Sequence, residues 1–307
     1  MSKNKTEQIR DFAKSIGINH LGVCDAGYDK ALYNILKNRR DSELECEFTN
    51  DDLLLRSSPD LVLKNAKSVI VCLFPYYKKD FSKGNISRYA TLFDYHKVII
   101  PKLNNIADFI NKNIEESENL CFCDTGTSVD RYLAYKAGLG YFGKNNCLIN
   151  DELGSYFFIG YVITTCEFEA NTPIKKSCIN CNRCIEACPG KALKDNFLFN
   201  PQNCVSYITQ LKKITISQET ILKEQSSVYG CDVCQEVCPH NSTLKDTCMP
   251  EFLADKIINL NYDDLIEMSN NKFRKQYSNF AFSWRGKDVI LKNFVGGTYV
   301  KQLKNNG

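Results

Sequence analysis

The spacing of apolar residues along the first half of the chain predicts helices and strands in turn. Apolar positions recur at helical spacing over residues 9–16, and Gly17 is a suitable C-cap for that helix. Residues 20–24 form a short apolar run typical of a strand. Residues 68–74 form a longer β-branched run that stops at Pro75, which indicates a strand buried on both faces.

The same kind of pattern continues as far as residue 165. Apolar residues over 95–113 predict a helix, in which Pro101 is tolerated only near the start. Three further elements are predicted: a strand over residues 119–126, a helix opened by Ser128 and closed by Gly138, and a hairpin made of residues 146–150 and 155–165. Strands and helices in this order are typical of an α/β or α+β domain.

After Cys166 the pattern changes and cysteines dominate the sequence. Residues 178–189 read CINCNRCIEACP, and residues 231–239 read CDVCQEVCP. The first run has the spacing of bacterial ferredoxins, in which three cysteines bind one iron-sulfur cube and the fourth reaches another. Zinc knuckles are the alternative, although a zinc site usually pairs two close cysteines with two distant ligands.

The second run supplies only three cysteines, because Val228 stands where a fourth would be. Cys204, between the two runs, is the natural substitute. Two 4Fe-4S clusters would then have eight ligands: Cys178, Cys181, Cys184 and Cys238 for one, and Cys188, Cys204, Cys231 and Cys234 for the other. The remaining eight of the 16 cysteines are expected to be core or surface residues.

Composition limits the class of protein. The 307 residues are 43% hydrophobic and 24% charged, as in an ordinary globular protein of about two domains. The chain begins with a polar segment, and no apolar run approaches the roughly 18 residues of a membrane span. A cytoplasmic protein without membrane contact is therefore expected, and in that compartment thiols bind metals more often than they form disulfides.

Charge is uneven along the chain. Residues 271–307 carry eight basic side chains and one acid, Asp288, although the whole chain has a net charge of only +3. This stretch interleaves its cations with aromatic residues, which suits an anionic partner. A lysine-rich solvated surface is the alternative interpretation.

A set of ordered motifs resembles the epoxyqueuosine reductases over nearly the whole chain. The motifs are RYATLFDYH (88–96), DTGTSVDRYLAYKAGLGYFGKN (124–145), GSYFFIGYVITT (154–165), the first cysteine run, NCVSYIT (203–209), YGCDVCQEVCPHN (229–241) and SWRGK (283–287). Members of that family use cobalamin and two 4Fe-4S clusters to reduce epoxyqueuosine to queuosine at the wobble position of tRNA, the last step of queuosine biosynthesis.

The resemblance implies an α+β fold in which a nitroreductase-like α/β cobalamin-binding domain precedes a ferredoxin-like two-cluster module. The expected boundaries are residues 1–167 for the catalytic domain, 168–250 for the 4Fe-4S domain and 251–307 for a basic and aromatic region that contacts tRNA. Electrons would pass from an external donor through the clusters to cobalamin, and a monomer is expected. Two departures are Phe93, where the family's glycine is expected, and the lack of a C-terminal helical-repeat extension after SWRGK.

The resemblance also assigns site residues. Asp124 matches the proposed proton donor, a role that needs a carboxyl protonated near neutral pH. Asp124 could instead cap a turn or helix, and Asp130 is the rival acid. The positions matched to cobalamin contacts are Arg56, Ser87, Asp124, Lys144, Asn145, Leu148, Ile159, Ser206 and Asp232.

Two other functions remain possible at this stage. A corrinoid reductive dehalogenase would share the cofactors, although such enzymes are typically exported behind a twin-arginine signal that this sequence lacks. A ferredoxin-type electron-transfer subunit would bind the clusters and no corrinoid, but it leaves roughly the first 165 residues without a role.

Overall fold

A computed structural model describes residues 4–81, 83–179, 181–253 and 257–295. The strands are β1 (His20–Asp25), β2 (Ser68–Pro75), β3 (Asn119–Phe122), β4 (Tyr141–Phe142), β5 (Leu148–Ile149) and β6 (Phe157–Thr164). The α-helices are α1 (Lys5–Ser15), α2 (Lys30–Asp41), α3 (Leu53–Ser57), α4 (Pro59–Val62), α5 (Arg88–Thr91), α6 (Tyr95–Phe109), α7 (Asp130–Lys136), α8 (Arg183–Ala187), α9 (Val205–Ile208), α10 (Ile216–Lys223), α11 (Val233–Glu236), α12 (Tyr262–Glu267), α13 (Asn270–Tyr277) and α14 (Lys287–Leu291). A π-helical turn (Ile110–Ile114) and five 3-10 turns (Pro201–Asn203, Pro239–Asn241, Pro250–Phe252, Ala281–Arg285 and Lys292–Val295) complete the secondary structure of these residues.

The chain divides into two compact units. The sheet unit comprises the described residues up to Tyr77, His96–Gly143 and Cys147–Ile179. The thiol unit comprises Lys78–Tyr95, Lys144–Asn146 and the described residues after Asn180. Two short segments from the first half of the sequence thus belong to the unit that contains the second cysteine run and all of the first except Cys178 and Ile179.

The sheet unit is built on a four-stranded sheet of order β1-β2-β6-β3, in which every neighbouring pair is antiparallel. The strands β2 and β6 occupy the centre, which explains their continuous apolar sequences. Helix α7 packs against one face so closely that a Cβ at Gly22 of β1 would lie 2.2 Å from the Ala137 carbonyl oxygen. On the other face, a Cβ at Gly160 of β6 would lie 2.6 Å from Ile99 of α6.

Several elements predicted from the sequence are confirmed. Helix α1 ends before Gly17, which has a φ of 84°, and it begins with a capping box between Asn4 and Glu7. The strands β1 and β2 match their predicted ranges, and β2 is buried along nearly its whole length. Helix α6 also forms, with Pro101 in its seventh position, and a π-helical turn extends it.

Two local predictions are wrong. Residues 146–150 and 155–165 do not form a hairpin, because β5 pairs with β4 while β6 lies between β2 and β3 in the main sheet. Only a single bridge between Asn150 and Gly154 corresponds to the turn signal. The N-cap of α7 is Val129 rather than Ser128, and its side chain makes no capping hydrogen bond.

The thiol unit consists of short helices joined by turns. Its largest apolar cluster combines residues from α5, α12, α13 and α14 with Val228 and Tyr229. Smaller clusters surround the cysteines. Across the described ranges, every helix is too short or too polar to span a membrane.

Candidate functional site

The cysteines of the second predicted set lie close together. The helices α8 and α11, which start within the two cysteine runs, pack against each other. Cys188 is buried in a small cluster against which Cys204 and Cys234 pack. The pKa of Cys231 is raised to about 12, first by burial and then by charges that include those of Cys204 and Cys188. Four thiols from three segments of the chain therefore converge.

The first predicted set includes Cys184 and Cys238, which are both buried. Cys238 lines a groove of about 610 Å³ together with Arg183 and Ala187 of α8. Cys178 and Cys181 are half-buried. The groove places Cys238 of the second run against the helix that carries Cys184.

The chemistry around these sulfurs suits a metal cluster. The Ala192 N–H donates a hydrogen bond to Cys188 Sγ at 3.3 Å, the kind of contact that tunes cluster sulfurs. No three His, Cys, Asp or Glu side chains of the described residues form a group that could hold a metal ion. That finding concerns sites for one ion, since a cubane cluster spreads its thiolates over four iron atoms.

Ser87 lies beside Gly230, the residue before the second cysteine run. It is the N-cap of α5, but its side chain makes no capping bond, and its buried Oγ has no hydrogen-bond partner among the described residues. Gly230, with a φ of 71°, leaves room for it, since a Cβ there would lie 2.1 Å from that Oγ. Beside it, the Arg88 N–H donates to Asp232 Oδ2 at 2.6 Å. An orphaned hydroxyl of this kind fits a ligand-binding position.

Lys144 and Asn145 also belong to the thiol unit. Lys144 Nζ donates to Asn182 Oδ1 at 2.6 Å and pairs with Asp195 at 3.1 Å. The buried Asn145 donates through Nδ2 to the Cys234 carbonyl oxygen at 3.5 Å. Both residues thus contact the cysteine segments directly.

In the sheet unit, Asp124 lies in a tight loop directly after β3. Its φ of 60° is in the left-handed region, which Asp tolerates better than most residues, and its side chain is exposed. Its backbone N–H donates to Asp130 Oδ2 at 3.2 Å. Asp130 therefore holds the loop that carries Asp124.

The raised pKa in this loop belongs to Asp130. Burial raises the pKa of its carboxyl to about 7, and the negative charge of Asp124 adds to the effect. The loop lies over Tyr161 of β6, so closely that a Cβ at Gly126 would lie 2.0 Å from the Tyr161 hydroxyl. Burial raises the pKa of that phenol, and Asp130 contributes.

Three hydroxyls are buried beneath the loop: those of Thr127, Ser128 and Tyr161, of which the Tyr161 hydroxyl has Ser128 as its polar neighbour. Sequence reasoning missed this group. Gly126, two residues after Asp124, was the only local signal, because a glycine in a turn can also indicate a close approach by another side chain.

The remaining expected contact residues lie in different parts of the two units. Arg56 lies in the last turn of α3 and is half-buried. It is near Arg39, whose pKa is lowered by burial and by the charges of Arg131 and Arg56. Leu148 is buried in β5, and Ile159 packs partly against the core of the sheet unit. Four of the expected cobalamin contacts belong to the sheet unit: Arg56, Asp124, Leu148 and Ile159. The other five belong to the thiol unit: Ser87, Lys144, Asn145, Ser206 and Asp232.

Two family models match the chain. Residues 56–125 match the model described as epoxyqueuosine reductase QueG, DUF1730. Residues 177–241 match a 4Fe-4S double cluster binding domain. The second match covers both cysteine runs and Cys204, so the chain contains a 4Fe-4S cluster-binding domain.

Curated relatives cover almost the whole chain. The epoxyqueuosine reductase of Lactococcus garvieae is 33% identical over 95% of this chain and 86% of its own length. That of Staphylococcus aureus is 32% identical over 96% of this chain and 80% of its own. That of Leadbetterella byssophila is 31% identical over 98% of this chain and 100% of its own.

Solved structures agree. An epoxyqueuosine reductase bound to an epoxyqueuosine-modified tRNA-Tyr stem loop has a TM-score of 0.85 at 31% identity, covering 94% of this chain and 79% of its own. The Streptococcus thermophilus epoxyqueuosine reductase has a TM-score of 0.85 at 29% identity, covering 99% and 87%. The Bacillus subtilis enzyme, solved with the catalytic loop of an aspartate swung out of the active site, has a TM-score of 0.84 at 31% identity, covering 94% and 79%.

Proposed function

The chain belongs to the epoxyqueuosine reductase family, and on that premise we propose that it reduces epoxyqueuosine to queuosine in tRNA. The observation that carries the proposal is the match, at a TM-score of 0.85 over 94% of this chain and 79% of the other, to a relative bound to an epoxyqueuosine-modified stem loop. In this reaction the epoxide takes up two electrons and two protons. Both carbon–oxygen bonds break, a carbon–carbon double bond forms, and the oxygen leaves as water.

We propose two 4Fe-4S clusters, with the ligand sets expected from the sequence. The convergence of Cys188, Cys204, Cys231 and Cys234 supports the second set. The groove between Cys238 and α8 supports the first. Thiolates at these positions would hold both clusters. A separate electron donor would reduce the clusters.

Cobalamin is the proposed second cofactor, and each unit by itself contains expected contact residues of a kind that the cofactor needs. Its amide side chains call for hydrogen-bonding groups, and the orphaned Ser87 hydroxyl and the buried Asn145 amide are such groups. Its phosphate calls for a cation, and Arg56 stands in a group of arginines. The apolar Leu148 and Ile159 suit the corrin ring. When bound, cobalamin supplies a cobalt centre that delivers electrons to the substrate.

Asp124 is the proposed proton donor to the epoxide oxygen, where negative charge develops as the ring opens. Its place in an exposed loop, held from behind by Asp130, lets its carboxyl reach a substrate. The Bacillus subtilis relative, whose catalytic loop carries an aspartate, supports this assignment. A mobile loop would bring the acid to the substrate and withdraw it for product release.

The tRNA contact is proposed for the basic C-terminal region. On α13, Lys272, Arg274 and Lys275 are exposed, whereas Phe273 and Tyr277 are buried, so the helix presents a cationic face. Lys301 and Lys304, which the sequence adds to this region, lie outside the described residues. We further propose a nitroreductase-like fold for the sheet unit, a monomer, and a cytoplasmic location.

The decisive experiment uses protein loaded with both cofactors, a chemical reductant and a stem loop that carries epoxyqueuosine. Mass spectrometry of the nucleoside should find a product lighter by one oxygen. Asp124→Asn should keep the iron, the sulfide and the cobalamin spectrum while turnover falls about 10²- to 10⁴-fold. Unimpaired turnover in the variant would remove Asp124 from this role, and a failure of the iron-loaded protein to take up cobalamin would leave only an electron-transfer function.

A further inference from the structure

Trp284, the only tryptophan of the chain, combines exposure with a fixed orientation. The residue is 54% exposed, yet its Nε1 donates to the Tyr229 hydroxyl at 2.9 Å and to Gln210 Oε1 at 3.1 Å. Tyr229 is itself 1% exposed and belongs to the main apolar cluster of the thiol unit. The core therefore holds the edge of the indole while much of the ring faces solvent.

The Arg285 guanidinium lies over the Trp284 ring. Arg285 stands with its Cζ 4.9 Å from the Trp284 ring centroid, a distance typical of a cation-π contact. Its Nε donates to the Gln210 carbonyl oxygen at 3.1 Å, so the guanidinium is fixed by the same turn as the indole. Two further cations, Lys212 and Lys213, follow Gln210 and are exposed.

Lys292 adds a cation near Arg285. Its Nζ donates to the Ile208 carbonyl oxygen at 3.3 Å and to Asn293 Oδ1 at 2.7 Å, so among the described residues both of its partners are neutral oxygens. Burial, followed by the charge of Arg285, lowers its pKa to about 8. A half-buried ammonium beside a guanidinium gains most from an anion placed between them.

The other aromatic side chains of residues 271–294 do not offer a comparable surface. Phe273, Tyr277 and Phe282 are 1%, 8% and 0% exposed and pack in the core, and Phe280 stacks on Phe282. In this described part of the region, Trp284 is therefore the exposed ring among the interleaved cations and aromatic residues. We call Trp284, Arg285 and Lys292 the Trp284 platform.

We propose that the Trp284 platform stacks an unpaired base of the tRNA substrate, with Arg285 and Lys292 holding an adjacent phosphate. Bases of the anticodon loop are single-stranded and present their faces to aromatic side chains, and each stacked base contributes measurably to affinity. A ring already fixed by its edge loses little conformational freedom when a base stacks on it. The proposal rests on the proposed function, since it takes tRNA as the substrate.

An acidic electron donor is the competing partner for a cationic surface. Charged residues at the rim of an interface set the rate of association with such a donor. A donor recognised by charge alone does not require a fixed, exposed aromatic ring. A π-face beside two cations, Arg285 and Lys292, matches a nucleotide better, because a nucleotide offers both a base to stack and a phosphate to pair. The geometry therefore favours RNA.

The single tryptophan makes the test direct. The cofactor-loaded protein is titrated with an anticodon stem loop, binding is followed by anisotropy of the labelled RNA, and stacking by the lifetime of the Trp284 emission. The lifetime should fall in parallel with RNA binding. Trp284→Ala should bind the stem loop about 5- to 100-fold more weakly, and Trp284→Phe, which keeps a ring, should lie between it and the parent protein.

Tyr28→Ala is the matched control, because Tyr28 is a 49% exposed aromatic residue of the sheet unit. It should leave RNA affinity unchanged. If the stem loop binds but the lifetime is unchanged and Trp284→Ala binds equally well, the platform proposal is wrong while the proposed function stands. If the lifetime responds to a reduced acidic flavodoxin and not to RNA, the surface serves the donor and the proposal is overturned. If the parent protein binds no stem loop at all, the proposed function itself fails.

Discussion

At the scale of single residues, Asp130 differs most from what its sequence position suggests. A carboxyl at the first position of a helix ordinarily stabilises that helix as an anion. Here burial raises its pKa to about 7, and Asp124 opposes its ionisation further. Its oxygen is still needed, because it accepts the Asp124 N–H that fixes the loop.

Asp130 should make stability depend on pH. Its folded pKa of about 7 lies above the unfolded value of roughly 3.9, so the folded protein binds more protons between these values. This contribution to stability is present below pH 4 and is lost as pH rises to 7, by at most about 4 kcal/mol. Asp130→Asn keeps the acceptor oxygen and cannot ionise, so its melting temperature should rise relative to the parent between pH 5 and pH 8.

The control for this measurement is Asp41→Asn. Asp41 forms an exposed pair with Lys37 at 2.6 Å, and such pairs contribute little to stability. The melting temperature of Asp41→Asn should stay close to that of the parent protein at pH 5 and at pH 8. A difference between Asp130→Asn and the parent that stays constant from pH 5 to pH 8 would contradict the assigned ionisation.

At the scale of elements, the contact between the Asp124 loop and β6 positions the proposed acid. Gly126→Ala would place a methyl group 2.0 Å from the Tyr161 hydroxyl and 3.1 Å from Phe122. The loop or the strand must then shift, which costs about 1 to 3 kcal/mol and moves Asp124. Turnover should fall, and the melting temperature with it.

Removing the Tyr161 hydroxyl oxygen should restore much of the turnover that Gly126→Ala loses. Tyr161→Phe alone removes a buried hydroxyl whose polar neighbour is Ser128, so it should cost no more than one hydrogen bond, about 0.5 to 1.5 kcal/mol of stability. The double variant should therefore recover most of the turnover lost in Gly126→Ala. Equal damage in the single and double variants would place the strain elsewhere. Gly22→Ala is a useful contrast, since it meets the Ala137 backbone oxygen at 2.2 Å and no side-chain deletion can relieve it.

The same elements explain what could be predicted from the sequence. The strands β1 and β2 and helix α1 follow from local periodicity and from Gly17, and each lies where the pattern places it. The hairpin prediction was wrong because β6 pairs with β2 and β3, partners far away in sequence. Local signals identify a turn, but they do not specify the partner of a buried strand.

In the candidate site, too, some features follow from local sequence and others depend on the fold. The cysteine spacing predicts seven of the cluster ligands from two local runs, with Cys204 between them as the eighth, and the proximity of Cys188, Cys204 and Cys231 supports that prediction. The resemblance named Ser87, Lys144 and Asn145, but their surroundings could not be predicted from local sequence. The lack of a partner for the Ser87 hydroxyl and the burial of the Tyr161 hydroxyl each depend on a glycine brought close by the fold. Lys144 and Asn145 belong to the thiol unit although their sequence neighbours lie in the other unit.

At the scale of the whole molecule, cluster binding should hold the thiol unit together. The proposed second set takes Cys188 from the first run, Cys204 from the segment between the runs, and Cys231 and Cys234 from the second run. A cluster that bonds these segments stabilises short helices that have small apolar contacts of their own, because its binding energy becomes folding energy. Loss of one ligand should therefore affect both metal content and stability.

Cys204→Ala tests this link and the least obvious ligand together. The parent protein should contain about eight iron and eight sulfide per chain, and the variant about four of each, with a lower melting temperature. Cys248→Ala is the matched control, because Cys248 is an exposed thiol outside both sets, and it should keep the full content. Unchanged iron in Cys204→Ala would remove that residue from the ligand set. Stoichiometric zinc without iron in the parent would replace the cluster assignment altogether, and with it the route by which electrons enter the molecule.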